Sequence, residues 1–223
     1  MRRSFRLLLG AVAAMAAALL FYEGLALYRA RQRTPDVIAT AARGELTLAD
    51  LSERRRAMLL RVEDPGFYTH RGLDFSTPGQ GMTNLTQSLV KIFYFDSFEP
   101  GFAKIEQSLI ARFVLDPAMS KDAQLAAFLN HASFGHIRGR PVTGFADAAR
   151  TYQGRSFADL DDRQFLSLVA MLMAPNALDP VRHKDANAER VRRIEALLAG
   201  RCRPVGLRDV TYEACGTWIV MGR

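Results

Sequence analysis

Residues 63–74, Glu-Asp-Pro-Gly-Phe-Tyr-Thr-His-Arg-Gly-Leu-Asp, hold the densest set of reactive side chains in the sequence. Two adjacent carboxylates, Glu63 and Asp64, stand where an amphipathic stretch meets Pro65-Gly66, and His70 and Asp74 follow in the same loop. The negative end of a helix dipole disfavours a further negative charge. A carboxylate placed there keeps its proton to higher pH, which suits a general base. The bland alternative is a pair of solvated helix-end charges, and residue type alone leaves both open. Glu106 is a second candidate carboxylate: it shares a helix face with Ile110 and Phe113, an odd position for a merely solvated charge. His131, His136 and His183 have no metal-ligand spacing among themselves and read as structural or surface groups. Asn130 reads as a helix-end cap.

Helices must position these groups. A helix is expected over 51–64, ended by Pro65-Gly66, and a loop over 65–82, which holds Pro65, Gly66, Gly72, Pro78, Gly79 and Gly81. Apolar spacing predicts helices over 84–95, 104–115, 120–130 (Ser120 as N-cap), 145–152, 161–173 and 187–199. Period-2 alternation is absent except over 209–220, the one candidate strand. The architecture is therefore expected to be mainly α. Phe93, Phe95, Phe98 and Phe102 with Tyr94 concentrate aromatic surface in 92–102, either core or an exposed apolar patch.

The chain has 223 residues, 49% of them hydrophobic and 24% charged, which supports a buried core and excludes a disordered chain. Two cysteines exclude a disulfide-dense mini-fold and a four-cysteine zinc site. Cys202 and Cys215 are either bridged or two unrelated thiols. The net charge of +7 is concentrated: residues 1–33 carry six Arg against Glu23, so the rest carries only +2. That argues against a nucleic-acid partner. Residues 7–28 are apolar except for Glu23 and span about 33 Å as a helix, close to one bilayer crossing. The segment is long for a signal-peptide core and lacks a small-residue cleavage site, so it is read as an anchor. Three Arg flank each side, and the N-terminal amine tips the orientation towards a cytoplasmic N-terminus. The expected domains are an anchor over 1–33, a linker over 34–50, a helical domain over 51–200 and an extension over 201–223. That extension leaves no room for a second catalytic domain.

The pattern Glu63-Asp64-x-x-Phe67-x-x-His70-x-Gly72-x-Asp74 resembles, at every fixed position, the first signature of the peptidoglycan glycosyltransferases (glycosyltransferase family 51). These are lysozyme-like transglycosylases found alone or as the N-terminal half of bifunctional penicillin-binding proteins. Residues 81–91 resemble the second signature, Gly-Gly-Ser-Thr-Ile-x-Gln-Gln-x-x-Lys. Gly81, Thr86, Gln87 and Lys91 fit, Thr83 stands for Ser, and Met82, Asn84 and Ser88 depart. Ser120-Lys121, Phe128-Leu129-Asn130, Phe134-Gly135, Gly144-Phe145, Ala148-Ala149 and Tyr152-Gln153-Gly154 continue the resemblance in order. The stretch from Asp74 to Gly81 is only seven residues, much shorter than in the family, so part of the donor-side lid is expected to be missing or rebuilt. The third signature, Arg-Lys-x-x-Glu, has its best counterpart in 102–106, which keeps Glu106 without the Arg-Lys pair. That assignment requires a small insertion near Asp116-Pro117; without it Ser108 takes the carboxylate's position.

The resemblance implies a divergent, monofunctional peptidoglycan glycosyltransferase with a lysozyme-like fold, anchored in the bacterial inner membrane with its domain in the periplasm. It implies an inverting polymerisation of lipid II into glycan strands with release of polyprenyl diphosphate. Glu63 would be the general base and Glu106 the second catalytic carboxylate, beside the diphosphate. Lys91 and Lys104 would bind phosphate, Thr83 and Gln87 would line the donor pocket, and Asp64 and His70 would complete the substrate-binding set by holding the loop beside the base. No cofactor is demanded; Mg2+ or Mn2+ at Glu106 is the metal option. The partners implied are lipid II, nascent glycan, the membrane and cell-wall synthases. Two alternatives remain: a catalytically degenerate relative that binds lipid II or synthases without polymerising, and a lysozyme-like enzyme that cleaves glycan.

Overall fold

The computed structural model describes residues 2–216. Arg2–Ala41 form one helix, α1, about 60 Å long at 1.5 Å per residue. It is long and apolar enough to cross a membrane, with a mean hydropathy of 2.0 in its most apolar stretch. A crossing consumes about 20 residues, and the rest of α1 docks on the domain. Ala30, Thr34, Val37 and Ala41 recur at helical spacing and are all buried. Pro35 inside the helix removes one backbone donor, the one that would have met the Arg31 carbonyl; Thr34 beside it donates its hydroxyl to the Ala30 carbonyl at 2.8 Å and is in hydrogen-bond contact with the Tyr94 hydroxyl at 2.9 Å. The first part of the expected linker is thus helix. The buried stripe carries the helix through Pro35 into the expected linker.

The remaining helices are α2 (Glu53–Glu63), α3 (Leu85–Tyr94), α4 (Phe102–Ile110), α5 (Asp116–Ala118), α6 (Lys121–His131), α7 (Gly144–Ala148), α8 (Asp162–Met171) and α9 (Lys184–Leu198). Their starts are set by local chemistry. Ser52, Asn84, Ser120 and Asp161 each accept the backbone N–H three residues on. Asn84 and Asp161 are answered by Gln87 and Gln164, closing reciprocal capping boxes. The mainly helical architecture and the lysozyme-like class expected from sequence agree with this arrangement.

The strand expected over 209–220 is not seen in its described part. Residues 213–216 form a helical turn, capped by Asp209, whose carboxylate accepts Glu213 N–H at 2.8 Å; residues 217–220 lie outside the described residues. The sheet lies elsewhere: β1 (Ser133–Ile137) and β2 (Arg140–Thr143) pair antiparallel with Ile137 opposite Arg140. Arg138 and Gly139 form its two-residue turn with φ of 49° and 79°, the positive values a tight hairpin needs. The core centres on Phe134, Phe145, Phe157 and Phe165, whose ring centroids lie 4.9–6.1 Å apart. Cys202 and Cys215 are bridged.

Candidate functional site

The first-signature residues form a knot at the end of α2. Asp64 caps the helix with its side chain fully buried. Its two carboxylate oxygens contact His70 Nε2 at 2.9 and 3.0 Å, and one accepts Leu85 N–H at 3.1 Å. One buried carboxylate thus ties α2, the following loop and the start of α3 together. Asp74 ties down the short loop. Burial would push its pKa up, but hydrogen bonds from the Thr77 and Ser76 side chains and backbone outweigh it and hold it at about 2. Removing one partner of a buried charged network leaves the others unsatisfied. Asp64→Ala is therefore expected to cost about 3 kcal/mol, read by urea unfolding, whereas Tyr68→Phe, which loses an exposed bond to Asp122 and an interaction with Arg56, is expected to cost under about 1 kcal/mol.

Glu63 points the other way, into a cleft of about 590 Å³. The last turn of α2 and the 79–83 loop form one side of it, with α3 and α4 beside them; Met173, Arg190 of α9 and Val210 also line it. Burial, reinforced by the Asp64 charge and opposed by Arg190, raises the Glu63 pKa to about 7. The side chain is therefore half-ionised near neutrality, as a general base requires.

The other charged groups are cations. Lys91 lines the cleft with Nζ 5.2 Å from the Phe98 ring centroid. Lys104 donates to the Thr83 hydroxyl at 2.6 Å, and Thr83 itself lines the cleft. Burial first, then repulsion from Lys91, lowers the Lys104 pKa to about 8. Arg190 is 6% exposed, and its Nε and one terminal nitrogen lack hydrogen-bond partners. Unpartnered buried donors and two mutually repelling lysines favour an anionic occupant.

Of the expected site residues, Glu63, Thr83 and Lys91 line the cleft; Asp64 and His70 stand behind it in the knot, Lys104 reaches it through Thr83, and Gln87 and Glu106 lie elsewhere. Gln87 is fully buried: its carbonyl oxygen closes the Asn84 capping box and its amide donates to Ser108 Oγ at 3.0 Å. It supports α3 and does not line the cleft. Glu106 lines a separate pocket of about 140 Å³ against α1, with Tyr22, Arg29 and Arg33. Burial, then the Glu23 charge, raises its pKa. Adjacent helical residues point about 100° apart, so Gln107 rather than Glu106 reaches the cleft. Ser108, on the face towards Gln87, occupies the position reached without an inserted gap, and a π turn at Ala111–Leu115 supplies the change of phase.

The Glu106 position does not bring a metal to the cleft: Glu106 faces α1, Glu63 is the one carboxylate lining the cleft, and the described residues contain no group of three metal-ligating side chains. The side chains alone therefore supply no preformed cage for Mg2+ or Mn2+ in the cleft, and no step is derived through one. Sequence reading missed Arg190 and Val210. Arg190 carried a faint signal as an Arg on the apolar face that also holds Val191 and Ile194.

The fold and cleft define a class: a helical domain packed against a membrane-length helix, with one carboxylate facing a cationic, anion-ready cleft. Residues 32–199 match the family model described as Transglycosylase, and the chain belongs to that family. It is 28% identical over 164 residues to penicillin-binding protein 1F of Bacillus subtilis, covering 68% of this chain and 22% of that one. It is 30% identical over 145 residues to penicillin-binding protein 1B of Vibrio cholerae, covering 59% and 18%. A Cupriavidus necator protein provisionally named a transglycosylase is 27% identical over 160 residues, 66% of this chain and 65% of that one. The chain thus spans about a fifth of the length of the two penicillin-binding proteins.

Proposed function

We propose that this transglycosylase polymerises lipid II into glycan strands, anchored by α1 in the bacterial inner membrane with its N-terminus cytoplasmic and its domain periplasmic. The observation that carries the reading is Glu63, with its pKa of about 7, in a cleft otherwise charged by Lys91 and Arg190. The Glu63 carboxylate takes the proton of the acceptor sugar hydroxyl as that oxygen attacks the donor's anomeric carbon. The bond from that carbon to the diphosphate oxygen breaks, and the lipid diphosphate departs with the bonding pair. Attack opposite the leaving group inverts the anomeric centre. Lys91 and Lys104, the latter holding Thr83, meet the charge that develops on the diphosphate. Ile92 and Phe98 line the cleft. Phe102, Ile105 and Phe113 are 69%, 47% and 49% exposed on and just beyond α4. They suit contact with lipid chains.

The two perturbed groups set a pH window. Below about 7 Glu63 is protonated and takes no further proton; above about 8 Lys104 loses its charge. The kcat/KM profile is expected to be bell-shaped with limbs near these values, and a profile flat from pH 6 to 9 contradicts the assignment.

Incubating the chain in detergent with labelled lipid II tests the function. Glycan polymer with free polyprenyl diphosphate is the expected product. A second reading, a binding relative that does not polymerise, is favoured by the position of Glu106 outside the cleft. Lipid II bound but unchanged would select it. Partner cell-wall synthases are proposed for either reading.

A further inference from the structure

We propose that the segment 202–216, closed by the Cys202–Cys215 disulfide, is a wall of the cleft and that Tyr212 is a positioning residue for Glu63; the catalytic part of this inference rests on the function proposed above. The segment lies beyond the family match, which ends at residue 199. It packs on the shortened 74–81 loop. Gly79 and Gly81 donate their N–H groups to the Gly206 and Leu207 carbonyls, both at 2.9 Å. The approach is close: a Cβ on Gly79 would lie 2.6 Å from Pro204 and 2.8 Å from Tyr212, and one on Gly81 would lie 2.7 Å from Val210. Asp209 braces the segment from within by accepting Val205 N–H at 3.0 Å and Glu213 N–H at 2.8 Å.

Tyr212 connects this wall to the base. It is 2% exposed and held at φ 53°, a conformation unfavourable for an aromatic residue and maintained here by its surroundings. Its hydroxyl donates to the Val62 carbonyl at 2.7 Å, one residue before Glu63. Its ring lies 4.1 Å from the Arg190 guanidinium carbon. Tyr212 therefore holds both the backbone that carries Glu63 and the cation that faces it. The charged and titratable groups around Glu63 are Asp64 beside it, Lys91 from α3, Arg190 from α9 and Tyr212 itself, with Arg61 and Arg193 behind.

Tyr212→Leu, Tyr212→Phe and the paired Cys202→Ser/Cys215→Ser variant test the proposal in the full chain. Three readouts are needed: steady-state kinetics against pH, 13C NMR titration of the Glu63 carboxyl, and amide hydrogen exchange over 62–64 and 76–84. Tyr212→Leu releases Arg190, so the Glu63 titration and the acid limb of kcat/KM are expected to move to higher pH, with kcat falling about tenfold and KM changing less than about threefold. Tyr212→Phe keeps the ring against Arg190 and is expected to leave the titration in place. The serine pair is expected to speed exchange at Gly79 and Gly81 at least about tenfold. A folded Tyr212→Leu with unchanged Glu63 titration would overturn the positioning role, and a folded serine pair with unchanged exchange over 76–84 would overturn the wall. If the wild type binds lipid II without polymerising it, the catalytic reading fails alone, because the NMR and exchange results still decide whether the wall and Tyr212 act on Glu63.

Discussion

Glu63→Gln is expected to lower the polymerisation rate by about 10³-fold while leaving lipid II binding within a few-fold of wild type. The amide keeps the side chain's shape and loses the ability to accept a proton. The same substitution is expected to stabilise the fold at alkaline pH. In the folded chain Glu63 holds its proton up to about pH 7, against an ordinary value of 4.5. Between those values the folded state binds more protons than the unfolded one, so stability falls as pH rises through the window. Fully expressed, the difference is roughly 3 kcal/mol, and partial exposure of the side chain reduces it to about 1–2 kcal/mol. Thermal melts should show Glu63→Gln matching wild type at pH 5 and exceeding it at pH 8. A variant less stable than wild type at pH 8 would show that Glu63 is not held in the cleft at the cost of the fold.

Lys91→Ala carries the second large effect. Lys91 lines the same cleft as Glu63, and after burial its charge is the second cause that lowers the Lys104 pKa. A leaving diphosphate would neutralise both cations. Removing one preorganised cation from a developing anionic charge costs about 10²-fold or more in rate. Lys91→Arg, which restores charge with a different reach, should recover part of the loss. The comparison also separates chemistries: hydrolysis of a glycan has no diphosphate leaving group, so unchanged activity in Lys91→Ala would point to glycan cleavage. Initial rates with lipid II for the three proteins decide it.

Much of the site was legible because its signals are local. Apolar spacing marked α3, Ser120 announced the start of α6 as its N-cap, and Pro65-Gly66 ends α2. The fixed spacing around Glu63 and Asp64 located the knot that Asp64 and His70 form. What stayed hidden depends on contacts distant in sequence or on helix phase. Tyr212 reaches Val62 across 150 residues, and nothing near Tyr212 in sequence predicts that bond. Glu106 faces α1 while its neighbour Gln107 faces the cleft, a helix phase set by the packing of α4 against α1 and α3. The hairpin was missed because Arg138, rather than Asn, Asp or Gly, takes the first positive-φ turn position. The helical continuation through Pro35 was missed because it is held by tertiary burial of Ala30, Thr34, Val37 and Ala41 against the domain, which local sequence does not announce.

If Glu63 is the base of a glycan-polymerising cleft, binding and chemistry separate in the Glu63→Gln variant. Lipid II binding and polymer formation are measured together, in the same detergent at pH 7.5, for wild type and Glu63→Gln. Both proteins are expected to bind lipid II, and the wild type alone to make glycan polymer. Polymer from Glu63→Gln at close to the wild-type rate would contradict the assignment of Glu63 as the base.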